Sequence, residues 1–215
     1  MKKSFVKKYI KQQEKPIEEA LKMMEFRAQE ILDANSRYDD LYIDPNVDII
    51  NSNPQVIQQV KQELKEFLFL LDEHHVKNIL QVGLGHWAST HFVLSLLLDS
   101  ITTVEYDVSH IQRYLPERCV DCESIQEGDS LKVHTSFSDD SFDALFIDGN
   151  HSYEYVKQDL ENYSTKVKKG GIIAMHDANF EGDQYGTPQV IRESNLDWSF
   201  ISHSKEVGIA YTIKQ

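Results

Sequence analysis

Apolar residues recur along this chain with two different periods, and the period changes at Val76. Before that point the spacing is helical. From Lys2 to Lys15 the apolar anchors are few (Phe5, Tyr9, Ile10) and lysines are frequent, which predicts a basic helix with a solvated face. Pro16 suits the first turn of a second helix, carried forward by Ile17, Ala20, Leu21 and Met24. The Met23-Met24 pair is expected as core filling. Asn-Ser, Asp-Pro and Asn-Pro turn signals then mark a loop from Asp33 to Pro54, long enough that part of it is expected to cover a pocket or pack on a neighbour. A third helix is predicted from Gln55 to His75, with Val56, Ile57, Val60, Leu64, Phe67, Leu68 and Leu71 on one face. His74 and His75 fall at its C-terminal end, where the helix dipole favours them.

After Val76 short apolar runs alternate with helical spacing. Asn78–Val82 reads as a strand that runs into Gly83-Leu84-Gly85-His86-Trp87-Ala88, and a helix begins near Ser89 or Thr90. Glycine in such a turn permits positive φ and lets a ligand approach free backbone N–H groups. The next strand, Ile101–Val104, ends at Glu105, at the distance beyond Gly83 where a ribose-binding carboxylate belongs in a nucleotide-binding βαβ unit. Asp107–Leu115 is predicted as a short helix ended by Pro116. Gly128-Asp129-Ser130 is a polar turn after a strand end, able to border an adenine or to serve as a plain β-turn. Ala144–Ile147 is a buried strand ending in Asp148-Gly149-Asn150-His151. An amphipathic helix follows from Tyr153 to Val167, expected to stop at Lys168-Lys169-Gly170-Gly171. The strand Ile172–Met175 ends in His176-Asp177. After a helix from about Gln189 to Ser194, the strands Trp198–Ile201 and Gly208–Ile213 are joined by a polar turn with no helix, so they must be antiparallel. The predicted sheet is parallel through its earlier strands and finishes in a hairpin.

Composition narrows the function. The chain has 215 residues and a formal charge of −13, which argues against a nucleic-acid surface. It has neither a secretory apolar stretch near its start nor a run approaching the about 20 residues that span a bilayer, so a cytoplasmic protein without membrane partners is expected. Cys119 and Cys122 form a single Cys-x-x-Cys pair without further ligands, read as incidental reduced thiols. The polar strand ends converge on one rim, where open parallel sheets bind ligands.

The segment FDALFIDGNHSYE (142–154), followed by Val-Lys-Lys-Gly-Gly (167–171) and His176-Asp177, resembles class I S-adenosylmethionine-dependent methyltransferases. The resemblance is to the small-molecule O-methyltransferase group of macrocin- and cephalosporin-modifying enzymes. It implies an α/β, Rossmann-like, doubly wound and mostly parallel seven-stranded sheet with a C-terminal antiparallel hairpin. This domain would span residues 76–215, behind an N-terminal helical cap or lid of residues 1–75. It also implies roles. Gln81, Gly83, Gly85, Glu105, Asp129, Ser130 and Asp148 would contact S-adenosylmethionine. Asp148, His176 and Asp177 would hold Mg²⁺ or another divalent ion, with Asp148 catalytic and His151 or His176 the general base. The substrate would be a small hydroxylated molecule, a sugar or natural product, and the enzyme a possible homo-oligomer. Gln81 departs from the pattern, since the family usually carries an acid there. The rival expectations are a nicotinamide-dependent oxidoreductase and a binding protein that keeps the fold without the chemistry.

Overall fold

The computed structural model describes residues 3–35, 59–85, 88–109, 124–180, 182, 185–203, 205 and 207–215. The expected loop beyond Asn35, the His86-Trp87 pair, most of the Asp107–Leu115 helix and both cysteines lie outside the described residues.

Among the described residues, three helices come first: α1 (Lys3–Lys11), α2 (Pro16–Asn35) and α3 (Lys61–Glu73). Then strands and helices alternate: β1 (Asn78–Val82), α4 (Ser89–Leu97), β2 (Ser100–Glu105), β3 (Ile125–Glu127), α5 (Ser130–Val133), β4 (Phe142–Ile147), α6 (Tyr153–Ser164), β5 (Val167–His176), α7 (Thr187–Glu193), β6 (Ser199–Ile201) and β7 (Ile209–Ile213). The seven strands form one sheet in the order β3-β2-β1-β4-β5-β7-β6. Strands β1 to β5 pair in parallel, and β7 runs antiparallel to both β5 and β6, as the helix-free connection requires. Strand order reverses between β1 and β4, so their carboxyl ends open the crevice at which such sheets bind ligands.

The sheet is buried on both faces, which is why its strands are continuously apolar. Along β4, Ala144 and Phe146 face one core, while Leu145 and Ile147 face the other. The first core also takes Ile10, Leu21, Met24, Leu64, Phe67 and Leu94, so α1 to α4 cover that face. Phe67 stacks at 5.0 Å on Phe146, and Arg27 lies 4.9 Å over the Phe92 ring, joining α2 to α4. Val156, Leu160, Tyr163, Val190 and Ile191 of α6 and α7 cover the opposite face. Two lysines of α1 are engaged internally: Lys7 donates to the Asp99 carbonyl, and Lys11 pairs with the Asp99 carboxylate at 2.6 Å.

Three boundaries differ from the sequence pattern. Helix α3 starts at Lys61, because Val60 is extended (φ −73, ψ 113) and Gln59 is drawn toward β4. Helix α6 ends at Ser164, and Val167 to Gly171 belong to β5 instead. There the pairing slips from Phe142↔Val167 to Ala144↔Ile172, a bulge held by Lys168 on the Asp143 carboxylate and by left-handed Gly170 (φ 79). Val167 continued the helical spacing only because it is buried as a strand residue. Helix α7 begins at Thr187, since Pro188 is tolerated in a first turn. No helix among the described residues is long and apolar enough to cross a membrane.

Candidate active site

The site is built where β1 and β4 end side by side. Gly83 leaves β1 with φ +89, and a Cβ there would sit 2.0 Å from the Asp148 carbonyl oxygen. Only glycine allows that approach, which locks the β1–α4 turn against the end of β4. Asp148 N–H donates to the Val82 carbonyl at 2.8 Å, and Gly83 N–H to the Val104 carbonyl at 2.8 Å. Gly85 is also left-handed (φ 66). Glu105, at the end of β2, reaches back under the turn, accepting from Leu84 N–H at 2.8 Å through Oε2. Its Oε1 has only a long contact, 3.4 Å, with Asp107 N–H. Asp129 caps α5 by accepting from Leu131 N–H at 3.1 Å, and Ser130 opens that helix.

Gln81 is 1% exposed and sits beside Thr103 in the β1–β2 register. Its Nε2 donates to the Gly83 carbonyl at 2.8 Å, and its Oε1 accepts from Thr103 Oγ1 at 3.4 Å. The Thr103 hydroxyl has one proton, spent on Gln81, so it accepts from His91 Nδ1–H at 2.8 Å. The chain therefore uses both ends of a neutral amide, which explains the absence of a carboxylate at this position.

Across the crevice, Asp148, His151, His176 and Asp177 come together. His176 Nδ1 lies 3.2 Å from Asp148 Oδ1 and 3.3 Å from Asp177 Oδ1. His151 Nε2 lies 3.1 Å from Asp177 Oδ2 and 3.8 Å from Asp148 Oδ1, without the alignment of a hydrogen bond. Asp177 takes a left-handed backbone (φ 56), a strained choice for a non-glycine residue that aims its carboxylate into the cluster. Burial opposes ionisation of Asp148, but the charge of His176, with that of His151 beside it, outweighs it and holds the carboxyl well below its usual range. Burial likewise opposes charge on His176 and His151, and the two aspartates overcome it, raising both. One ligand atom each from Asp148, His151 and Asp177 lies within 4.8 Å of the others, a spacing suited to one metal ion. His176 stands behind them, 6% exposed, with Nδ1 shared between the carboxylates.

Three residues at this site had no role in the sequence reading. Gln59 donates from Nε2 to Asp148 Oδ2 at 2.9 Å. Tyr185 stacks on His151 (4.8 Å), and Phe180 stacks on Tyr185 (3.8 Å), walling one side. No local pattern marks them, since each lies in irregular chain. Of the remaining histidines, His134 packs edge-on to Tyr163, and His74 and His75 are exposed at the end of α3.

Residues 80–178, which include the glycine turn and the whole acidic cluster, match a family of methyltransferase domains. That stretch is similar to a methyltransferase domain. Solved O-methyltransferase structures share the chain's fold. One, from Staphylococcus aureus and assigned as a caffeoyl-CoA O-methyltransferase, aligns over 88% of this chain and 100% of its own, with 20% identity and a TM-score of 0.55. The O-methyltransferase TomG from Streptomyces achromogenes, involved in tomaymycin synthesis and solved with S-adenosylmethionine, aligns over 89% of this chain and 90% of its own (16% identity, TM-score 0.54). A Bacillus cereus O-methyltransferase, solved with S-adenosylhomocysteine, aligns over 88% and 91% (16% identity, TM-score 0.53). No curated protein matches the chain.

Proposed function

We propose that this protein is a cytoplasmic enzyme that transfers the methyl group of S-adenosylmethionine to a hydroxyl oxygen of a small molecule, a sugar or natural product, with help from a divalent metal. The observation that carries the reading is the position of Asp148, whose backbone abuts Gly83 while its carboxylate belongs to the Asp148–His151–Asp177 cluster. The cofactor turn and the metal donors thus share one residue. S-adenosylmethionine supplies an electrophilic methyl group, and a divalent ion supplies a Lewis acid that lowers the pKa of a coordinated hydroxyl.

This chain's own residues bind and orient. The turn from Gly83 to Gly85 would pass under the methionyl part, and Glu105 would keep Oε1 for ribose hydroxyls while Oε2 fixes the turn. Asp129 and Ser130 would border the adenine. Two carboxylates and one imidazole fit Mg²⁺, Mn²⁺ or a similar ion, and His151 Nε2 has no hydrogen bond to surrender on binding it. His176, with Nδ1 already committed to both carboxylates, fits the part of a brace that sets their orientation better than that of a base. The N-terminal residues 1–75 act as a cap over the domain of residues 76–215, and Gln59 contacting Asp148 supports that role. The antiparallel β6–β7 pair speaks against the nicotinamide-dependent alternative, whose sheet would continue in parallel. Titration with Mn²⁺ tests the site: wild-type protein takes up one ion, and Asp148→Asn or Asp177→Asn weakens uptake by about a hundredfold. Equal affinity in all three proteins would remove the metal from the reading.

A further inference from the structure

The Asp177 carboxylate reaches the cluster because its backbone turns through a left-handed conformation (φ 56), which a non-glycine residue keeps only where its surroundings over-determine it. On the side that precedes the turn the sheet does so, since His176 pairs with Ile209 of β7. On the side that follows, the pairing continues past both strands. Ala178 N–H donates to the Gly208 carbonyl at 3.2 Å, and Asn179 N–H to the Val207 carbonyl at 2.7 Å. The Asn179 side chain adds a hydrogen bond from Nδ2 to Ser202 Oγ at 2.6 Å. The Asp177 turn is therefore placed by the backbone of Val207 and Gly208.

These two residues precede β7 and include a left-handed conformation of their own, at Gly208 (φ 87), so they need a support beyond the ladder. It comes from α3. Glu63 is 0% exposed, its Oε2 accepts from Gly208 N–H at 3.0 Å, and its Oε1 accepts from His203 N–H at 2.6 Å. Hydrogen bonds to a carboxylate are stronger than those to a neutral acceptor. Gly208 N–H and the Val207 carbonyl belong to one rigid peptide plane, so pinning the N–H also aims the carbonyl. A continuous line results, from Asn179 N–H to the Val207 carbonyl and from Gly208 N–H to Glu63, in which each hydrogen bond polarises the other. We propose that Glu63 is a positioning residue for the metal centre: through the 207–208 peptide plane, its buried carboxylate holds the turn that presents the Asp177 carboxylate to the ion. The inference rests on the metal reading of the Asp148–His151–Asp177 cluster. It gives the N-terminal segment a second hold on the site, since Gln59 touches Asp148 and Glu63 governs the backbone beyond Asp177.

The test uses the full chain with two readouts: Mn²⁺ affinity, from the paramagnetic resonance of the free ion, and hydrogen exchange at the Asn179 amide of metal-free protein, taken relative to the Phe146 amide in β4. Glu63→Gln keeps the shape of the side chain but turns a donor toward one of the two N–H groups. Leu71→Ala, a cavity at the other end of α3, serves as the control for lost stability alone. Glu63→Gln is expected to weaken Mn²⁺ uptake about tenfold or more and to raise the exchange ratio by a similar factor. Leu71→Ala should leave both within about threefold of wild type. If Glu63→Gln does not fold, Glu63→Asp, which keeps both oxygens but falls one methylene short, should show the same two changes. Unchanged Mn²⁺ affinity in the folded variant would overturn the proposal, as would an equal loss in Leu71→Ala. Wild-type protein that takes up no Mn²⁺ would instead strike the metal reading, and an unchanged exchange ratio would on its own refute the hold of Glu63 on the turn.

Discussion

Gln81 and Asp159 are two buried polar residues whose environments make opposite demands. Gln81 needs to be neutral: its N–H faces the Gly83 carbonyl, and a carboxylate there would set oxygen against oxygen at about the same distance. Gln81→Glu, which sets a carboxylate at this position, should therefore weaken S-adenosylhomocysteine binding by about tenfold and lower stability by about 1–3 kcal/mol. Tighter binding by that variant would contradict the role given to the His91–Thr103–Gln81 chain. The departure at Gln81 was legible in the sequence. Its reason was not, because it depends on the register that puts Thr103 beside it. Asp159 is charged against its surroundings. It is 0% exposed on α6, and neither carboxylate oxygen has a hydrogen-bond partner. Burial pushes its pKa up to about 6, with nearby Ser130 pulling slightly down and Asp129 pushing further up. The sign follows directly. A carboxyl that binds its proton more tightly when folded destabilises the fold above its folded pKa, and the penalty fades as pH falls toward its unfolded value. Asp159→Asn should therefore stabilise the protein at pH 7, by on the order of 3 kcal/mol, with the gain shrinking to nothing near pH 4. Urea melts across that range would check it, and a variant less stable at pH 7 would reveal a partner for the carboxylate.

At the level of elements, α3 ties the N-terminal segment to the rest. One face packs Phe67 on Phe146, and Glu63, fully buried, accepts from His203 N–H at 2.6 Å and Gly208 N–H at 3.0 Å. A single carboxylate thereby caps the connection between β6 and β7. Glu63→Ala would leave two backbone donors without it, and a loss of about 2–4 kcal/mol in chemical denaturation is expected. A loss below about 0.5 kcal/mol would show that the connection holds itself. The apolar face of α3 was readable from spacing alone, but Glu63 was not, since a charged residue beside Leu64 looks like surface until the hairpin is folded over it. The end of α6 failed for the converse reason. Val167 prolongs the helical period, and only strand pairing with Phe142 reveals that it belongs to β5.

For the whole molecule, the order of buried runs and helical stretches from Val76 onward was enough to anticipate five parallel strands and an antiparallel end, because both periods are strong and the final connection has no room for a helix. The same pattern placed Asp148, His151, His176 and Asp177 at strand ends on one rim, where the structure gathers them. What stayed hidden was the contribution of the N-terminal segment, since Gln59 and Asp148 are 89 positions apart. The central claim is that this arrangement serves methyl transfer from S-adenosylmethionine, and calorimetric titration with S-adenosylhomocysteine tests it most directly. One site per chain with micromolar affinity is expected, weakened at least tenfold by Glu105→Ala, which removes the carboxylate proposed for the ribose together with the support of the Leu84 N–H. Folded wild-type protein that binds neither S-adenosylhomocysteine nor S-adenosylmethionine would contradict it.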